Sequence, residues 1–175
     1  TCALPIYAFE SFNYPHLVDA GINITYHTER MLKPDWDKPM IPHFKLDNNV
    51  IIFSLFPGIR EDLVRHVIAT PNLKSIVMRT FGSGNAPQRP WVMHALKEAT
   101  HNGKVVINIS QCIQGAVEMG RYDTGYQLQE AGVISGYDST VENAVTKLMY
   151  LQSIFDDPET VRYYMRQSIR GEITV

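Results

Sequence analysis

The sequence predicts an α/β fold, a small, doubly wound parallel sheet of about four strands flanked by helices. Three short apolar runs, at residues 50–55, 75–79 and 105–109, are typical of strands that are covered on both faces. The segments between them carry apolar residues at helical spacing, and glycine or proline marks each change of element. Strands separated in this way are expected to pair in parallel, because a parallel neighbour needs a long crossover connection.

Composition excludes several classes of protein. The chain has 175 residues, of which 45% are apolar and 19% are charged, as in a globular domain. Its formal net charge of −2 gives no electrostatic reason to expect nucleic acid or an anionic membrane as a partner. No apolar run approaches the roughly 18 residues that a membrane-spanning helix needs. Cys2 and Cys112 lie far apart and form no disulfide framework, which favours a reducing, cytoplasmic setting.

The first 45 residues differ from the rest. Residues 1–6 lack an initiator methionine and run directly into an internal segment, so we expect a fragment whose first six residues are non-native. Residues 7–29 combine an Asn-Tyr-Pro turn, a short helical pattern and an alternating run at 22–26. The next stretch is rich in proline and charge, with Trp36 as the main apolar exception, which is typical of a linker. We therefore expect the main domain boundary near residue 45.

Within the main domain the elements follow in order. Pro57-Gly58 ends the first strand, and a helix at 59–68 runs until Pro71 stops it. After the second strand, Pro90 opens a helix that Asn102-Gly103 ends. The third strand leads through a loop to a short helix at 124–131 and to a stub of a fourth strand at 133–134.

Two more helices are expected after the fourth strand. The run Ser139-Thr140-Val141-Glu142 fits a capping box, in which Ser139 caps the helix and Glu142 reaches back to it. Asp157-Pro158 begins the last helix with an N-cap and a first-turn proline. Capping is also a sufficient explanation for Asp123 and Asp138, which lie near helix starts.

Polar side chains cluster where the second and third strands end. Arg79 leaves a buried strand just before the glycine-rich turn 82–87, which contains Asn85. Its planar guanidinium suits a bidentate carboxylate partner. The third strand ends in Ser110-Gln111-Cys112 and can lie beside the second. Because the carboxyl ends of parallel strands open into a crevice, this cluster predicts a site for a small charged ligand or a contact with a neighbouring subunit.

The cluster does not amount to complete catalytic machinery. The turn fails the dinucleotide fingerprint, because the third glycine would fall at Pro87 and no acidic residue follows about twenty positions later. Cys112 would need a base to act as a nucleophile, and no pairing among the six histidines identifies one. The spacing of histidine and cysteine resembles no metal site. A cofactor and a metal are therefore not expected.

The same residues resemble a known family. Residues 78–87 (MRTFGSGNAP) are similar to the R-[ST]-[FY]-G-x-G-N-A-P signature of L-asparaginases. Three later blocks follow in the family's order: NISQC at 108–112, GVISGYD at 132–138 and AVTKL at 144–148. Residues 9–15 (FESFNYP) resemble the segment before the family's interdomain linker, although Phe12 and His16 replace its prolines. The Gln-Cys pair and the Arg-Gly-Glu near the C-terminus resemble the cytoplasmic, type I branch.

This resemblance implies an enzyme with a larger partner domain. Family members hydrolyse asparagine to aspartate and ammonia with two threonines of an N-terminal domain, one of them the nucleophile. Residues 7–28 would be the end of that domain, 29–45 the linker and 46–175 the C-terminal domain. No segment resembles the family's T-G-G-T-I or G-T-D-T blocks. We therefore expect no catalytic residue in this fragment and no activity from it alone.

The resemblance also implies roles for single residues. Family members are homodimers or homotetramers in which the C-terminal domain completes the neighbouring subunit's site. Asn85 matches the asparagine that holds the substrate's charged α-groups there. In the type I branch an allosteric asparagine binds near the intersubunit surface, and the matching positions are Arg79 for its carboxylate, with Ser110, Gln111 and Cys112. The hydroxyl of Ser110 stands where a threonine is also found.

A second hypothesis remains open. The chain could be a free-standing, non-catalytic regulatory domain of doubly wound fold that binds a small molecule. The order of the matched blocks favours the asparaginase hypothesis, with L-asparagine as the ligand.

Overall fold

The computed structural model describes residues 11–120 and 123–174. Two compact units are present, the first ending at Met40 and the second beginning at Ile41. The expectation that residues 1–6 are non-native, and the first residues of the matched FESFNYP segment, Phe9 and Glu10, lie outside the described residues.

The first unit contains a β-hairpin where the sequence had predicted a short helical pattern followed by an alternating run at 22–26, and the second strand lies within that run. Strands β1 (Val18–Ala20) and β2 (Ile24–Tyr26) pair antiparallel, with Val18 opposite Tyr26, and a single 3-10 turn follows at Thr28–Arg30. The helical prediction is wrong for the described part of this segment. Gly21 turns the chain, its N–H donating to the Asn23 carbonyl over 3.1 Å, and the cross-strand hydrogen bonds replace those that a helix would have made.

The second unit is built on a four-stranded parallel sheet with the strands in chain order, as far as the described residues show. The strands are β3 (Val50–Ser54), β4 (Ser75–Thr80), β5 (Val105–Ser110) and β6 (Ile134–Ser135). The helices are α1 (Glu61–Ile68), α2 (Pro90–His101), α3 (Asp123–Glu130), α4 (Val141–Ile154) and α5 (Pro158–Met165). This arrangement confirms the predicted fold class, a parallel sheet of about four strands flanked by helices.

Helices cover both faces of the sheet. Alternate residues of β4 point to opposite sides, so that Ile76 and Met78 pack in the core beneath α1, α2 and α3, whereas Val77 packs beneath α4 and α5. The central strands β4 and β5 are buried along their length, which explains why their sequences are continuous apolar runs. None of the helices in the described part of the chain is long and apolar enough to cross a membrane.

The beginnings of α4 and α5 test the predicted caps. Asp157 caps α5 as predicted, accepting from the backbone N–H of Thr160 over 2.9 Å. The capping box at α4 is wrong by one residue. Thr140 is the N-cap, and its hydroxyl accepts from the Asn143 N–H over 3.2 Å. Asp138 is not the N-cap of α4, since Thr140 holds that position, and the Asp138 carboxylate accepts from the backbone N–H of Thr174 over 2.8 Å.

An ion pair ties the C-terminal segment to α4. The buried ammonium of Lys147 lies 2.6 Å from the largely buried carboxylate of Glu172, whose side chain is 11% exposed. Burial by itself would raise the pKa of the Glu172 carboxyl. Hydrogen bonds from Lys147 and from the backbone N–H groups of Ile169 and Arg170 outweigh that effect and lower the pKa to about 2. Lys147 and Glu172 both fall in stretches that resemble family blocks, but the sequence did not indicate that they pair.

Candidate functional site

The predicted cluster lies at the carboxyl edge of the two central strands. The register places Arg79 opposite Ile109 and Thr80 opposite Ser110. Arg79 and the Ser110-Gln111-Cys112 run therefore leave the sheet side by side, which confirms that the third predicted strand lies beside the second. The turn carrying Asn85 begins directly after β4.

Backbone hydrogen bonds hold that turn in one shape. Phe81 and Asn85 form an isolated bridge, in which the Phe81 N–H donates to the Asn85 carbonyl over 2.9 Å and the Asn85 N–H donates back over 2.8 Å. Gly84 has a φ of +103°, and a Cβ atom there would lie 2.7 Å from Cγ1 of Val117. Only glycine fits this position without a rearrangement, because both the dihedral angle and the space exclude a side chain.

A buried polar pair beneath the turn was not predicted from the sequence. The hydroxyl of Thr80 donates to Oδ1 of Asn108 over 2.6 Å, and Nδ2 of Asn108 donates to the Gly84 carbonyl over 2.9 Å. Both side chains are fully buried. An asparagine within the VVINIS strand was the available signal, because a buried amide needs partners. Through these two hydrogen bonds the pair links the turn to the ends of β4 and β5.

Asn85 keeps part of its amide available. It is half-buried, and its Oδ1 accepts from the hydroxyl of Thr124 at the start of α3 over 2.8 Å. Among the described residues its Nδ2 donates no hydrogen bond. The side chain is thus oriented by Thr124 while an N–H donor remains free for a ligand.

Arg79 is half-buried and its guanidinium has no partner among the described residues. Its Nε is buried without a hydrogen bond, although its carbonyl accepts from the Leu55 N–H over 3.0 Å. A buried guanidinium nitrogen without a partner is costly, and a ligand carboxylate would relieve that cost.

The side chains of the other three residues of the cluster differ in how many hydrogen bonds they already make within the protein. The hydroxyl of Ser110 donates to the Gly82 carbonyl over 2.6 Å and accepts from the Cys112 N–H over 3.0 Å. The amide nitrogen of Gln111 donates to the carbonyls of Leu55, over 2.7 Å, and Arg79, over 3.1 Å. Cys112 is exposed and its thiol is free. Ser110 and Gln111 therefore shape the strand ends around Arg79, and the thiol faces solvent.

The cluster offers hydrogen-bond donors that suit an anion, and the described residues show no catalytic constellation around it. Within the described residues no group of three or more histidine, cysteine or acidic side chains could hold a metal ion. No hydrogen bond between a histidine and the Cys112 thiol occurs there either, so no base is positioned to activate that thiol. The guanidinium of Arg79 and the side-chain amide of Asn85 are each suited to bind a carboxylate, and among the described residues no nucleophile accompanies them.

Comparisons with known proteins place this geometry among characterised relatives. Residues 49–165 match the family model described as the glutaminase/asparaginase C-terminal domain. The chain is 42% identical to L-asparaginase 1 of Escherichia coli (strain K12) over 167 residues, which cover 95% of the chain and 49% of that protein. It is 37% identical to the 60 kDa lysophospholipase of Homo sapiens over 95% of the chain, although over only 29% of that protein.

A solved structure is similar over the full chain. The crystal structure of L-asparaginase I from Vibrio cholerae superposes with a TM-score of 0.89 at 38% sequence identity, covering 100% of this chain and 52% of that one. The chain thus spans about half of the length of the asparaginases that it matches.

Proposed function

Because the chain belongs to the glutaminase/asparaginase C-terminal domain family, we propose that it is the C-terminal part of an L-asparaginase, which converts asparagine and water to aspartate and ammonia. The observation that carries this proposal is the likeness to a curated L-asparaginase along nearly the whole chain. In this proposal residues 7–28 end the N-terminal domain, 29–45 form the linker and 46–175 form the C-terminal domain. The protein is cytoplasmic and works as a homodimer or homotetramer.

The chain's part in the reaction is to complete the neighbouring subunit's site. It contains no segment that resembles the family's threonine blocks, so the nucleophile comes from elsewhere and the 175 residues alone are inactive. Asn85 extends from a rigid turn and offers a free amide N–H to the charged α-groups of the substrate. The hydrogen bond to Thr124 supports this role, because it fixes the orientation of the amide before substrate arrives.

A second asparagine binds at Arg79 as an allosteric effector. The unpartnered, half-buried guanidinium supports this role, because a carboxylate would supply the missing acceptor. Ser110, Gln111 and Cys112 surround the effector at the ends of β4 and β5. Ser110 and Gln111 use most of their hydrogen-bonding capacity within the protein, so they shape this subsite more than they bind the effector directly.

Substrate assays on two forms of the protein test the function. A two-domain protein that contains this chain should release aspartate and ammonia from asparagine, whereas the 175 residues alone should not. Lysophosphatidylcholine should be tested in parallel, because a relative is named a lysophospholipase. Release of fatty acid without hydrolysis of asparagine would contradict the proposal, as would asparagine hydrolysis by the 175 residues alone.

A further inference from the structure

Strand β3 presents an unused row of backbone hydrogen-bonding groups. It pairs with β4 on one side, and no other strand of the described residues pairs with it on the other. The Leu55 N–H donates to Arg79 and the Asn49 carbonyl accepts from Ser75, so the odd-numbered residues face β4. Because successive residues of a strand point their backbone groups to opposite sides, the N–H and C=O groups of Val50, Ile52 and Ser54 face outward. None of these six groups has a partner among the described residues.

This edge lacks the usual protection against pairing. Exposed edge strands normally carry a lysine, a proline or another charge. Strand β3 reads VIIFS, without any of them. Ile52 at its centre is 50% exposed, and Phe56 directly after the strand is 47% exposed. Leu63 of α1, 44% exposed, lines a surface cleft together with Phe56. An apolar strand edge without these protecting residues is expected to be covered in the working protein.

The spacing of the free groups is self-complementary. Val50, Ile52 and Ser54 are placed symmetrically about Ile52. If a second copy of β3 lies antiparallel, Ile52 faces its own counterpart, and Val50 of each copy faces Ser54 of the other. Each of these three pairs exchanges two hydrogen bonds, so all six outward groups of each copy are satisfied by a twofold axis at Ile52.

We propose that the β3 edge is an interface with a second copy of this chain, joining two four-stranded sheets into one of eight strands. The charges beside the edge fit this occupant. The start of α1 exposes Arg60, Glu61, Asp62 and Arg65, two of each sign, so identical surfaces do not repel each other. A strongly acidic or basic partner would find no net charge to attract it. The inference does not rest on the asparaginase proposal, because it needs no substrate.

Charged substitutions at Ile52 test the proposed twofold axis. In Ile52→Lys and in Ile52→Asp, like charges would face each other across the interface and oppose pairing. Sedimentation of the 175-residue chain should show the mass halved in each variant, from dimer to monomer or from tetramer to dimer. An equimolar mixture of the two variants should restore the wild-type mass, because lysine then faces aspartate. Far-ultraviolet circular dichroism checks that both variants fold.

The control is Ile154→Lys, which places the same charge at a 43% exposed isoleucine at the end of α4 and should keep the wild-type mass. Three results would overturn the proposal. The first is an Ile52→Lys protein of unchanged mass, which would place any association on another surface. The second is a mixture of variants that does not reassociate. The third is a wild-type chain that stays monomeric up to its solubility limit, which would leave this edge to a different occupant.

Discussion

Asn85 owes its position mainly to hydrogen bonds that its neighbours make. Its backbone is paired with Phe81, and the buried Asn108 holds the preceding turn residue, Gly84. Among the described residues, a single hydrogen bond, from Thr124, involves its side-chain amide. The fold can therefore keep its shape when the amide is removed, which makes the residue suitable for a functional test.

We expect Asn85→Ala to lower kcat/KM for asparagine in the two-domain protein by about tenfold to a hundredfold, the range for a hydrogen bond to a charged group. The reason is the loss of a donor to the substrate's charged α-groups. Steady-state kinetics would measure it, with Asn102→Ala, an exposed asparagine after α2, as the matched control. Equal kinetics of the two variants would reject the role in substrate positioning.

Arg79 gives a prediction about regulation. We expect Arg79→Ala to abolish the sigmoidal dependence of rate on asparagine concentration in the two-domain protein, because the effector carboxylate loses its guanidinium partner. Arg79→Lys should weaken activation without abolishing it, since a point charge replaces a planar fork. The measurement is the rate over a wide range of asparagine concentrations. Cooperativity that persists in Arg79→Ala would contradict the effector site.

The sequence could predict some of these residues but not others. Arg79 and Ser110 could be placed together because parallel strands end at one edge of a sheet. The pairing of Thr80 with Asn108 could not, because it depends on which face of each strand turns toward the glycine turn. The partner of Asn85, Thr124, lies 39 positions later in a different helix, and spacing alone carries no information about that contact.

At the scale of the element, α4 shows how closely a cap depends on geometry. Ser139 and Thr140 both carry hydroxyls that can cap a helix, so the sequence pattern fits either register. The structure uses Thr140, and the Ser139 hydroxyl instead accepts from the Asn143 side chain over 2.9 Å. The last helix was simpler, because Asp157 followed by Pro158 permits one register only.

Cap substitutions at α4 should show this difference. Thr140→Ala is expected to lower the free energy of unfolding by about 1 kcal/mol, because the Asn143 N–H loses its acceptor. Thr140 is exposed, so little packing is lost with the hydroxyl. Glu142→Ala should cost clearly less. Urea denaturation of both variants measures the change, and a larger loss for Glu142→Ala would restore the capping box.

The segment after α5 behaves as an element of its own, held by Lys147. Its ammonium pairs with Glu172 and also donates to the carbonyls of Met165 and Gln167. Breaking such a buried pair on one side leaves an uncompensated charge. The C-terminal segment is therefore expected to release when either partner is neutralised.

Acid should release the C-terminal segment from α4. The pKa of Glu172 is about 2 in the folded protein and close to its usual value in the unfolded chain, so the unfolded state binds the proton first. The stabilisation, on the order of 3 kcal/mol, is present above about pH 4.5 and is lost as the pH falls toward 2. Denaturant unfolding between pH 2 and 6 would measure this slope. Glu172→Gln should flatten it, and an unchanged slope in that variant would assign the acid sensitivity to other groups.

At the scale of the whole molecule, the sheet was predictable because its signals are redundant. Continuous apolar runs, helical periodicity and turn residues all indicate the same alternation of strands and helices. The hairpin was predictable only in part. The alternating run at 22–26 marks β2, whereas β1 is three residues long and exposed, which is too short to show a strand period, and its surroundings were interpreted as helical. Which helix covers which face of the sheet was not predicted either, because the side chains on each face come from helices far apart in the chain.

Removing the last two helices should expose one whole face of the sheet. A chain ending at Thr140 would uncover the core that contains Val77, Ile107 and Ile109. We expect this truncation to aggregate or to bind a hydrophobic dye strongly, because a face without its helices cannot shield that surface from water. The 175-residue chain, which keeps α4, α5 and the Glu172 partner of Lys147, serves as the control. A soluble, dye-free protein after the first truncation would contradict the two-sided core.

The order of the strands has a consequence for biosynthesis. Because β3, β4, β5 and β6 lie in the sheet in the order in which they are translated, each new strand can join the edge formed by the one before it. The edge of β3 emerges first and is never covered by a later strand of the sheet. Nascent chains on neighbouring ribosomes would present this edge to one another before either is finished, so subunits could begin to assemble during translation.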